Sequence, residues 1–131
     1  MTAVEDLAAT LDGPFSELLK DLESRGMLKR TLVVLATEFG RSPKINQSGG
    51  RDHHPKVFSC VFAGGGVKGG QAIGKTDPNG QAATGETYQP KNLHATMGHA
   101  LGLPLDERIH GSGGRPFFVG GQAKPIPGLF G

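Results

Sequence analysis

The first amphipathic pattern along the chain is helical. Phe15, Leu18, Leu19 and Leu22 fall at i, i+3, i+4 and i+7 and form one apolar stripe, while Glu17, Lys20, Asp21 and Glu23 take the wet side. Asp12-Gly13-Pro14 predicts the start of that helix, because Asp12 or Gly13 can cap it and Pro14 suits the first helical position. Gly26 predicts its end. Val4 to Leu11 extends the same pattern upstream by a turn or two. Next, Thr31-Leu32-Val33-Val34-Leu35-Ala36-Thr37 is a continuous apolar run, rich in β-branched residues, short for a helix and without alternation. It predicts a strand buried on both faces, as in a parallel sheet. A helix feeding such a strand is half of a βαβ unit.

A second apolar run, Val57 to Phe62, predicts a second strand. Between the two runs, residues 38–55 are polar and rich in Gly, Ser, Asn and Arg. That loop is longer than most connections in compact domains, and such loops are commonly functional or disordered. Ala63 to Gly70 is a glycine turn, and Asp77-Pro78-Asn79-Gly80 a tight one. A second helix is predicted from about Lys91 to Leu101, with Leu93, Met97, Ala100 and Leu101 as its stripe and Gly102 and Pro104 beyond its end. The tail, residues 111–131, is loop-rich, with Phe117-Phe118-Val119 as one edge strand. The pattern predicts a single α/β unit over residues 1–131, without the strand that would precede the first helix.

Composition limits the core. The chain has 131 residues, which suits one domain, but only 36% of them are hydrophobic. Its 22 glycines exceed the roughly nine of an average chain of this length, so regular structure is concentrated in a few segments. The formal charge is +2 and the basic residues are scattered. Neither nucleic acid nor an anionic membrane is implied as a partner. An anionic small-molecule ester remains compatible, since a local positive pocket needs no large net charge. No stretch is long enough to span a bilayer. The first residues, Met1 to Asp6, lack the basic flank and apolar core of an export signal. Cys60, within the second apolar run, reads as a buried thiol.

Chemistry is concentrated where the first strand ends. In open α/β sheets ligands bind beyond the carboxyl ends of strands, and Thr37-Glu38-Phe39-Gly40-Arg41 occupies that place. Glu38 offers a fixed carboxylate, and Arg41 a planar fork for phosphate, sulfate or carboxylate. The loop returns with Arg51-Asp52-His53-His54-Pro55 just before the second strand. If the strands are neighbours, Glu38 and the Asp-His-His group share one rim, an oxygen/nitrogen set suited to zinc, manganese or iron. The same residues can equally hold the loop together by hydrogen bonds and ion pairs alone. His94 and His99 do not share a helix face and read as structural. The glycines at 64–70 lack the Walker spacing and a following helix, so they read as a turn.

Leu32 to Pro43, Gly50-Arg51-Asp52-His53-His54-Pro55, Ala63 to Gly70, Asn92 to Thr96 and Leu101-Gly102-Leu103 together resemble a large bacterial, sulfatase-like family labelled as a domain of unknown function. The resemblance runs from about Leu11 to Phe118. That family is similar in turn to the alkaline-phosphatase superfamily, which includes arylsulfatases. The resemblance implies an α/β fold, the C-terminal portion of an alkaline-phosphatase-like sheet with flanking helices. It implies a metal-dependent sulfate or phosphate ester hydrolase, inactive as this portion alone. Glu38, Asp52 and His53 would be metal ligands, and Arg41 and His54 the catalytic groups acting on the transferring anion and the leaving group. The ion would be zinc, manganese, calcium or magnesium. Phe39 stands where the superfamily has a second metal ligand, and the nucleophile is absent. The implied partner is therefore an N-terminal half, another chain of the same fold, or a second copy in a homo-oligomer. An exported or periplasmic full-length protein is also implied. The rival expectation is a non-catalytic binding or structural module on the same fold.

Overall fold

The computed structural model describes residues 3–131. Met1 and Thr2, within the segment read above for an export signal, lie outside the described residues. The first element, α1 (Ala3–Ser24), is one continuous helix with Pro14 in its interior. It includes the extra turns expected over Val4 to Leu11 and runs unbroken through Asp12-Gly13-Pro14, where a helix start is predicted. The upstream Ala, Leu and Glu are strong helix formers, and their propensity outweighs the hydrogen bond that the proline cannot make. Gly26 closes the helix as expected, with its N–H bonded to the Glu23 carbonyl. A short 3-10 turn (Leu28–Arg30) leads into β1 (Leu32–Leu35).

Strand β1 pairs antiparallel with β4 (Val61–Gly64), Leu32 opposite Gly64 and Leu35 opposite Val61. This corrects two expectations. The pair is antiparallel, because the connecting segment carries no crossover helix and turns straight back on itself. The strand is also only half-buried at all of its residues, with β4 as its one neighbour in the sheet. The second strand lies later than Val57 to Phe62, because its ladder can extend only as far as β1 itself runs.

Inside the 38–55 loop, β2 (Gly40–Arg41) pairs with β3 (His53–His54). Farther on, β5 (Lys75–Thr76) pairs with β6 (Ala83–Thr84) around the Asp77–Gly80 turn. The Asp77 carboxylate accepts the N–H groups of Gln81 and Ala82 there. The second helix, α2 (Pro90–Ala100), has Pro90 at its first position, and its Asn92 Oδ1 accepts the Gln89 N–H at 2.9 Å. In the tail, β7 (Ile109–His110) pairs with β8 (Pro116–Phe117), displaced by a residue from the edge strand expected at 117–119. The chain thus mixes α and β elements, and its described strands form two-stranded antiparallel sheets.

The best-buried side chains are Ala95 and Thr96 on α2 and Leu129 in the tail. The tail is therefore structural. Thr96 Oγ1 donates to the Asn92 carbonyl at 2.7 Å and accepts the Ile126 N–H at 2.9 Å. Asn92 Nδ2 donates to the Lys124 carbonyl at 2.9 Å. On the other side, Lys68 N–H bonds the Leu129 carbonyl, and Gln71 Nε2 donates to the carbonyls of Lys68 and Gly128. This clasp ties the last turns of chain to both α2 and the glycine turn. Elsewhere burial is poor. The accessible surface is 9637 Å², whereas a compact protein of this mass exposes about 6,600 Å².

Candidate functional site

The polar loop between β1 and β4 is braced from within. Register brings its two ends together, Gly40 opposite His54 and Arg41 opposite His53. Gly40 also passes close to the Val57 backbone, where a Cβ would collide with the Val57 carbonyl. Ser42 N–H bonds the Asp52 carbonyl at 2.8 Å, extending the ladder by one bond. The tip is organised by Asn46. Its Oδ1 accepts the N–H groups of Ser48 and Gly50, each at 3.0 Å, and its Nδ2 donates to Asp52 Oδ1 at 2.8 Å. Arg51 Nη1 donates to the carbonyls of Ser42, at 2.9 Å, and of Pro43.

These bonds decide what each candidate residue is free to do. Asp52, expected as a metal ligand, spends a carboxylate oxygen on Asn46. His53 stacks its ring on Phe39, with centroids 3.8 Å apart and planes 27° from parallel. His54 Nε2 lies 2.9 Å from the Gln81 carbonyl; a carbonyl only accepts, so that nitrogen carries the proton and donates it there. Glu38 is exposed and has no hydrogen bond or ion pair among the described residues. Arg41 is exposed, with one N–H donated to the Arg51 carbonyl at 3.2 Å and its guanidinium carbon 5.6 Å from the Phe39 ring centroid. Among the described residues, no three His, Cys, Asp or Glu side chains converge as a metal site.

Sequence reasoning missed Asn46, which organises the loop, and Gln81, which fixes His54. Asn46 could have been found. An Asn placed two and four residues before backbone N–H groups of a Ser-Gly-Gly run favours an Asx-type turn. Gln81 could not, because it acts through its carbonyl, which any residue supplies.

A second concavity lies away from the loop. It is a cleft of about 520 Å³, with Phe58, Phe62 and Leu93 among its apolar lining residues. Cys60 also lines it, half-buried, and burial pushes its thiol pKa up, toward an unreactive form. Tyr88, at the same cleft, has its phenol pushed up by desolvation and by the adjacent Glu86. No helix is long and apolar enough to cross a membrane among the described residues.

Comparison with known proteins gives one match. The family model described as "Protein of unknown function (DUF1501)" matches residues 2–130, nearly the whole chain. No curated protein and no solved structure matches. This corrects the expected relationship: the matching family is not a sulfatase family, and nothing found here connects the chain to the alkaline-phosphatase superfamily.

Proposed function

Since the chain belongs to the DUF1501 family, whose function is unknown, its role has to be argued from the loop, and we propose that it is a non-catalytic binding module for small anions. The observation that supports this is the way Arg41 is held. The loop's own hydrogen bonds consume Arg51, Asn46 and an oxygen of Asp52, yet they leave most of the exposed Arg41 fork undonated, beside Phe39 with His53 stacked on the same ring. Residues 38–56 contain Arg41, Lys44, Arg51 and Lys56 against Glu38 and Asp52, a local formal excess of +2. A planar guanidinium fork beside an aromatic ring suits a phosphate or carboxylate attached to a flat organic group.

The test is a calorimetric titration of the purified chain with phenyl phosphate. Binding is expected to weaken about 10- to 100-fold in Arg41→Ala, the range for losing a hydrogen bond to a charged group, and to weaken in high salt because the site is exposed. Binding that survives Arg41→Ala unchanged, or phenyl phosphate that is hydrolysed by the chain, would defeat the proposal. The hydrolase reading keeps one point in its favour, the unpartnered Glu38 carboxylate beyond β1. In that reading a further polypeptide completes the metal site. It requires Glu38→Ala to abolish zinc or manganese uptake.

A further inference from the structure

The charge of the chain is divided. Helix α1 carries six acidic side chains and one basic one, a formal −5, while the whole chain is +2, so the remaining residues carry +7. The helix also leaves the upstream part of its apolar stripe open, while Phe15, Leu19 and Leu22 farther along are half-buried. Leu7, Leu11 and Leu18 are 68%, 48% and 46% exposed, and none of the α1 residues lines the cleft of its own chain. That cleft is the apolar one described above. Three exposed lysines, Lys56, Lys68 and Lys75, line it, offset by the single carboxylate of Glu86.

We infer that α1 of one copy seats its apolar stripe on the lysine-lined cleft of a second copy, and that the exchange is reciprocal. Three observations carry this. An apolar stripe with acidic flanks matches an apolar floor with a basic margin, which is the complementarity that sets register and partner choice. The stripe is long enough to act as an anchor row, since 22 helical residues span about 33 Å. The surface in excess of a compact fold, about 3,000 Å² per chain by the scaling of area with mass, covers what one partner contributes to a stable homodimer, for which interfaces total about 2,000–5,000 Å². Reciprocal exchange uses the same two patches on both copies and closes a twofold dimer without leaving an open end.

Asp12 and Glu23 are the natural probes. They lie eleven residues apart, hence on one line along the helix at the edge of its wet side, and neither side chain has a partner among the described residues. The experiment is sedimentation equilibrium on the full chain, with circular dichroism to confirm that each variant keeps its helix. The expected result is a dimer of twice 13.7 kDa. Leu11→Asp with Leu18→Asp should give a folded monomer, both positions being exposed within one copy. Lys68→Glu with Lys75→Glu should weaken self-association at least about tenfold, a change of roughly 1.4 kcal/mol. Mixing that variant with Asp12→Lys, Glu23→Lys chains should restore pairing between the two. A strictly monomeric wild-type chain overturns the inference. So does a dimer indifferent to the leucine and charge changes, which would place another surface, such as the open edge of β1, at the interface.

Discussion

Gly120→Ala is expected to destabilise the chain by about 2–5 kcal/mol, from two costs that add. Gly120 sits at φ 67° in the turn Val119–Gln122, a left-handed conformation that a Cβ disfavours by about 1–2 kcal/mol. An added Cβ would also lie 2.6 Å from the Ala95 Cβ and 2.7 Å from the Ala95 backbone nitrogen. Ala95 is fully buried on α2 and cannot yield without moving the helix. Gly121→Ala is the internal control. Its φ of 58° carries the same conformational cost, but nothing lies within 4 Å of a Cβ there. Thermal unfolding of the two variants separates packing from conformation. Gly120→Ala should lose on the order of 10 °C and Gly121→Ala only a few. Equal losses would mean that the turn does not pack on α2 as described.

Thr96→Val should cost about 1–3 kcal/mol, the penalty for stranding a backbone donor rather than for any loss of volume. The hydroxyl of Thr96 is the acceptor of the Ile126 N–H, and valine fills the same space without it. Thr96→Ser keeps the hydroxyl and removes one methyl, a loss of about 0.8 kcal/mol. The readout is local as well as global. Hydrogen exchange across residues 124–131 should accelerate in Thr96→Val and stay near wild type in Thr96→Ser. The amide of Lys68 should accelerate with them, because it is bonded to the Leu129 carbonyl within the same clasp. Exchange that rises uniformly along the chain in Thr96→Val would show that the clasp is not a separate unit.

Asn92, Ala95 and Thr96 belong to one of the segments that suggested a family resemblance, and their roles here are structural. Asn92 bonds the N-terminal end of α2 and the tail, Ala95 receives the Gly120 turn, and Thr96 holds Ile126. A polar residue on a helix need not mark chemistry when a glycine-rich tail must be held against it.

Some elements were determined by the sequence alone because their causes are local. The stripe of α1, the glycine stops after both helices and the Asp77–Gly80 turn follow from periodicity and backbone preference within a few residues. The same holds for the polar character of the 38–55 loop. The extra turns over Val4 to Leu11 are legible too, whereas the helix start signalled at Asp12-Gly13-Pro14 does not interrupt α1, because the propensity of the neighbouring residues outweighs Pro14. The tertiary structure alone decided the direction of the β1–β4 pair, the stacking of His53 on Phe39 and the burial of Leu129. It also decided that Asp52 serves Asn46. An apolar run specifies that a strand wants neighbours but not which strand or in which direction, and a carboxylate specifies an acceptor but not its donor. Those choices depend on contacts between segments distant in the chain or on the closed shape of a loop, and no window of local pattern contains them.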